Sequence, residues 1–100
     1  MSAANQPMGH FQGTTDAATA KSMATLIGAA IPGGANWVRI SHDVACRYRD
    51  DGTAPTASVG ISMQATYIND YNGDLSTLQV ISQSGTATYD LSFYAGSPNV

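Results

Sequence analysis

Period-two alternation of apolar and polar side chains dominates the chain from residue 37 onward. The run TATYDLSFY sets Ala87, Tyr89, Leu91 and Phe93 on one face and Thr86, Thr88, Asp90, Ser92 and Tyr94 on the other. Such a pattern marks a strand with one face buried and one in water. NWVRIS alternates in the same way, Val38 and Ile40 against Trp37 and Arg39, and VACRYR sets Val44, Cys46 and Tyr48 against Ala45, Arg47 and Arg49. ASVGISM aligns Ala57, Val59, Ile61 and Met63, and TLQVIS adds Leu78 and Val80. Turn signals at RDDGTAPT, NDYNGD and SQSG separate these runs at short spacing. Short strands so punctuated predict an all-β fold, a small antiparallel β-sandwich or barrel of jelly-roll-like form. No internal repeat is evident.

The first third of the chain follows other rules. Residues 1–13 are polar, carry Pro7, Gly9 and Gly13, and show no hydrophobic period. They read as an extended N-terminal arm, with His10 and Phe11 at its end starting a first short strand. Residues 14–100 then form a single β-rich domain. Met23, Leu26, Ile27 and Ala30 fall at helical spacing after Asp16, a plausible N-cap, while Gly28 and Pro32 stop the pattern. One short helix over residues 18–27, packed on the sheet, is the expectation.

The stretch RYRDDGTAPTASVG asks whether Arg47, Arg49, Asp50 and Asp51 are chemistry or punctuation. Asp residues bond their own backbone in turns and Gly52 accepts positive φ, so Asp50-Asp51-Gly52 predicts a hairpin turn. Pro55 holds Ala54 extended and launches the next strand. A catalytic pair would need both carboxylates to converge in a cleft, whereas neighbours at a hairpin tip diverge into water.

Composition sharpens the picture. One hundred residues with 43% apolar content suffice for one modest core, but only 11% are charged, with no glutamate and Lys21 as the only lysine. Lysine and glutamate are the usual guards of solvent-facing sheets and their edges. A surface of Ser, Thr, Asn, Gln, Ala and Gly favours permanent contacts, hence a subunit of an assembly over a monomer of unusual composition. Net charge −3 and three arginines argue against nucleic acid. The run MATLIGAAIPGGA is too short and too broken to span a bilayer, which argues against a membrane role. The first fifteen residues lack the basic and apolar regions of a secretion signal. A lone Cys46 leaves no internal disulfide and fits synthesis in a reducing cytoplasm.

Other candidate chemistry is weak. Asp70, Asn72 and Asp74 match three positions of a calcium loop, but Leu75 stands where its glycine should be and Ile81 where its glutamate should be. His10, His42 and Cys46 lack a metal-ligand spacing, and both histidines read as surface or turn residues. No GxSxG elbow accompanies His42-Asp43. No cofactor or metal is expected, and nothing supplies a nucleophile, a base and an oxyanion site together, so the expectation is not an enzyme. Five tyrosines and Trp37 suit a core or an interface better than a sugar platform, and Trp37, sharing a face with Arg39, is the first choice of interface anchor.

RYRDDGTAPTASVG, followed by GDLSTLQVIS and the final TATYDLSFY, resembles a set of small accessory virion proteins of tailed bacteriophages. Their Arg-x-Arg-Asp-Asp-Gly-Thr-x-Pro-Thr-x-x-x-Gly hairpin falls here on Arg47, Arg49, Asp50, Asp51, Gly52, Thr53, Pro55, Thr56 and Gly60. An Asp-Leu-Ser-x-Leu turn matches Asp74, Leu75, Ser76 and Leu78. The similarity spans residues 31–94. The chain departs from the set in its polar N-terminal segment and in YINDYN, where similar proteins have a shorter loop.

The resemblance implies a structural component of the virion, assembled in the host cytoplasm. Joined to the composition, it points to a capsid cement or decoration protein. Such a protein binds the major capsid protein across capsomer junctions and acts as a homo-oligomer, a dimer or trimer. The expected contact residues are Pro7, Phe11, Trp37, Arg39, Arg47, Arg49 and Tyr94. The alternatives are a neck, tail or head-fibre protein and, from another class, a small carbohydrate-binding module.

Overall fold

The structure is a computed structural model, and it describes residues 6–96. Eight strands and one helix follow in the order β1 (Gln6–Thr15), β2 (Lys21–Ser22), α1 (Met23–Ile27), β3 (Trp37–His42), β4 (Cys46–Arg49), β5 (Ile61–Met63), β6 (Asn69–Tyr71), β7 (Gln79–Ser82) and β8 (Ala87–Ala95). Every ladder is antiparallel. The pairs β1·β8, β2·β7, β3·β6 and β4·β5 make the chain one long hairpin folded back on itself. That hairpin is wrapped so that β8 also pairs with β3, and β7 with β4. The result is two four-stranded sheets, β1-β8-β3-β6 and β2-β7-β4-β5, packed face to face. This is jelly-roll topology, which joins distant strands and leaves short edges.

The alternation read from the sequence sets the core. Ala87, Tyr89, Leu91 and Phe93 of β8 are each 0% exposed, and Val38, Ile40, Cys46, Leu78 and Val80 close against them. Burial of an aliphatic or aromatic side chain of this size contributes roughly 1.5–3 kcal/mol, so these central strands hold the two sheets together.

The N-terminal segment differs from the expected free arm. From Gln6 on it is the edge strand β1, paired with β8 along its whole length with a bulge between Pro7 and Gly9. Phe11 turns inward, edge-on to Phe93 with ring centroids 5.8 Å apart. Residues 1–5 of the expected arm lie outside the described residues. Gly13 has a steric role: a Cβ there would clash with the Leu26 carbonyl oxygen, so only glycine lets α1 lie against β1.

The helix is shorter than the expected 18–27. Its N-cap is Ser22, whose Oγ accepts from the Thr25 N–H, and Gly28 closes it in the left-handed region at φ 69°. The preceding residues are extended because Lys21 and Ser22 pair with Val80 and Gln79. Asp16 instead accepts from the Ala18 and Thr19 N–H groups, capping the turn that leaves β1. Two further expectations shift. Of ASVGISM only Ile61–Met63 is strand, and Asn69–Tyr71, read as turn, pairs with β3 as β6.

Candidate functional site

The hairpin carboxylates diverge, as turn residues do. Asp51 takes the Arg49 guanidinium in a two-point contact and also accepts from the Thr53 N–H. Arg49 holds the Asp51 carboxyl below the usual carboxylate range. Asp50 accepts from the Tyr71 hydroxyl at 2.6 Å, tying the hairpin to the opposite sheet. Burial, then this bond to a carboxylate, raises the Tyr71 phenol well above its ordinary value. Arg47 turns to backbone: its Nε donates to the Ala57 carbonyl at 3.1 Å and its Nη1 to Gly60 at 2.9 Å. The arginine thus staples the 50–60 connection onto β4.

Of the other expected contact residues, Pro7, Trp37, Arg39 and Tyr94 lie on the outer face of the first sheet. Trp37 and Tyr94 are register partners, stacked at 4.3 Å with planes 14° apart. The Arg39 guanidinium lies 5.4 Å from the Trp37 ring centroid and 6.0 Å from that of Tyr94. It also grips Asp70 of the neighbouring strand by two hydrogen bonds of 2.8 and 3.0 Å. This bond lowers the Asp70 carboxyl and raises the arginine. Pro7, exposed on β1, is the register partner of Tyr94.

One corner therefore gathers Pro7, Trp37, Arg39 and Tyr94, but not as drawn from the sequence. Trp37 is only 2% exposed, so it anchors Tyr94 and Arg39 rather than projecting outward. Arg47 and Arg49 sit on the other sheet, and Phe11, half-buried, packs against the core.

The residues weighed for metals are otherwise engaged. Asp70 serves Arg39, and Asp74 accepts from the Ser76 N–H and Oγ, which lower its carboxyl. Among the described residues no three His, Cys, Asp or Glu side chains gather as metal ligands. His42, read as a surface or turn residue, is instead 4% exposed, on the inner face of β3 opposite Tyr89. Its Nδ1 lies 2.7 Å from the Val44 carbonyl, which can only accept, so Nδ1 carries the proton. The same carbonyl accepts from Cys46 Sγ, which in turn accepts from the Tyr89 hydroxyl; that hydroxyl lies 2.8 Å from Thr15 Oγ1. Burial pushes both the Cys46 thiol and the Tyr89 phenol up. A buried, protonated thiol of this kind is inert.

Four side chains that the sequence did not mark as exposed are the most conspicuous on the surface. Val59, Ile61, Tyr67 and Ile68 are 51%, 57%, 63% and 67% exposed, and all lie within residues 59–68. Two of them, Val59 and Ile61, belong to the alternating run read as buried. No protein-family model matches the chain, and no curated protein or solved structure matches it.

Proposed function

We propose that this chain is a structural protein of a tailed-bacteriophage particle, a cement or decoration protein that binds the outer capsid shell. Its partner is the major capsid protein, and its work is to hold capsomer junctions. The observation that carries the reading is how the chain spends its charge. It has four basic side chains, and each is engaged within the fold. Lys21 donates to the Thr14 carbonyl, Arg39 to Asp70, Arg47 to the Ala57 and Gly60 carbonyls, and Arg49 to Asp51. The outward surface is left mostly neutral, with exposed apolar residues concentrated in one segment.

Such a surface suits long-lived contacts better than steering of charged ligands. A protein that binds only the intact shell stabilises it by mass action, in proportion to the logarithm of its concentration over its dissociation constant. No reaction is required. The sugar-binding alternative is less well supported, because a sugar platform needs several coplanar aromatic rings open to solvent, and among the described residues Tyr67 is the only exposed tyrosine, tryptophan or phenylalanine ring. Trp37 is buried, stacked on Tyr94 with the Arg39 guanidinium beside both rings.

Quantitative mass spectrometry of purified virions tests the proposal. A copy number comparable to the major capsid protein is the expected result. About a dozen copies would move the protein to the neck or tail, and its absence from the particle would overturn the virion reading.

A further inference from the structure

Three asparagines lie among the described residues, and two of them are fastened. Asn36 donates to the Gly96 carbonyl and accepts from the Gly96 N–H, so its amide is bonded at both ends. Asn69 is half-buried on β6 as the register partner of Ile40, and its amide donates to the Tyr67 carbonyl. Asn72 differs in each respect. It is exposed, it follows the last residue of β6, and among the described residues its side chain bonds to no protein group. The next residue is Gly73, also exposed, whose N–H is likewise unbonded among the described residues. Both line an open groove of about 570 Å³ with Asn36, Asp74 and Ser76, which admits water to the pair.

A main-chain nitrogen rarely reaches the side-chain carbonyl of the residue before it. The following side chain crowds the approach, and hydrogen bonds fix both groups. Glycine has no side chain and ranges widely in φ and ψ, and no ladder bond fixes the backbone beyond Tyr71. We infer that Asn72-Gly73 is a site of self-modification, where the Gly73 nitrogen closes on the Asn72 amide and the asparagine becomes aspartate or isoaspartate. The nitrogen gives its proton to hydroxide and bonds to Asn72 Cγ. The Cγ–Nδ2 bond breaks and the amide leaves as ammonia, protonated by water, so a cyclic imide remains. Water then opens the ring. Attack at Cγ gives aspartate; attack at the main-chain carbonyl gives isoaspartate, in which the chain runs through the side chain. Overall one water is consumed and one ammonia released.

The chain's other pair of this kind marks the contrast. Asp51 precedes Gly52, but its carboxylate is held by Arg49 and by the Thr53 N–H. A fixed, ionised carboxylate is a poor target for a nitrogen nucleophile. At Asn72 the product also reaches the fold. The Tyr71 hydroxyl sits over Gly73, where a Cβ would overlap it, and it donates to Asp50 on the opposite sheet. Isoaspartate adds one carbon to the main chain between Tyr71 and Gly73, which shifts Gly73 beneath that hydroxyl and loosens the tie. Either product takes the net charge from −3 to −4. The reaction needs only the chain and water, so its failure would leave the virion reading untouched.

Peptide mapping by mass spectrometry tests it, on the full-length protein held in mildly alkaline buffer, folded or unfolded in guanidinium chloride. In the folded chain Asn72 is expected to convert within about threefold of its unfolded rate, since an exposed loop needs no opening. It is expected to convert about tenfold or more faster than Asn36, whose two bonds must break first. Asn72→Gln, which would have to close a larger ring, is expected to stop the conversion. Amide exchange at Tyr71 is expected to quicken in the converted wild type and not in this variant. A folded chain that keeps its Asn72 amide under conditions that convert the unfolded one overturns the inference, as does conversion no faster than at Asn36. Unchanged exchange at Tyr71 after conversion overturns the link to the Tyr71–Asp50 tie.

Discussion

Tyr89 shows how one side chain links the two halves of the fold. Its ring is buried in the core, while its hydroxyl donates to Cys46 on the other sheet and meets Thr15 on the edge strand. All three groups are sealed from water, so no solvent can replace a lost partner. Tyr89→Phe keeps the ring and deletes the bonds, leaving Thr15 Oγ1 without the contact it has now. A buried hydroxyl left unsatisfied costs about 1–3 kcal/mol. The variant is therefore expected to lose that amount of unfolding free energy, read as a lower urea midpoint with an unchanged slope; no change would mean that Thr15 and Cys46 find other partners. None of this was legible in the sequence. The alternation put Tyr89 inside, but the meeting of residues 15, 46 and 89 is long-range. His42 was misread for a different reason: its polarity suggested a surface or turn position, while its place two residues after Ile40 on β3 points it into the core.

At the scale of elements, the strands with unbroken alternation were readable and the ones that differ are informative. β3, β4, β7 and β8 lie where the apolar period put them. β1 was masked by Pro7, Gly9 and Gly13, residues that discourage a strand call in isolation but serve here as edge, bulge and close-packing positions. β6 was masked because Asn69 and Asp70 carry turn propensity, which pairing to β3 and the Arg39 bond override. Alternation also states which way a side chain faces, not whether anything covers it, so Val59 and Ile61 looked buried. Their segment is held by Arg47, whose fork reaches two carbonyls at once. Lysine keeps the charge but not the planar fork. Arg47→Lys is expected to cost about 1–2 kcal/mol and to speed amide exchange in residues 57–61, with exchange in β8 unchanged apart from the global loss. Equal protection of that segment in both proteins would show that the staple is dispensable.

For the whole molecule, the bonded ionisable groups define a pH window. Asp16, Asp51, Asp70 and Asp74 are all held below the usual carboxylate range. Backbone N–H groups hold Asp16; Arg49 and Arg39 hold Asp51 and Asp70; the Ser76 hydroxyl and N–H hold Asp74. A carboxyl lowered by folding adds stability above its unfolded value near 4 and loses it as the pH falls toward the folded value. These groups are exposed, so each adds little and salt weakens the pairs. Cys46, Tyr71 and Tyr89 are raised, chiefly by burial. The sign is then opposite: their stability is complete below the unfolded values, about 8.5 for the thiol and 10 for the phenols, and is lost as the pH rises beyond them. Cys46 and Tyr89 are fully buried, so ionising them means exposing them. The thermal midpoint is therefore expected to be flat from about pH 5 to 8, to fall gently below about pH 4 and steeply above about pH 9. Tyr89→Phe should flatten the alkaline side without altering the acid one. A midpoint that falls more steeply in acid than in alkali would place the electrostatic weight of the fold on its surface ion pairs instead of its buried hydroxyl and thiol.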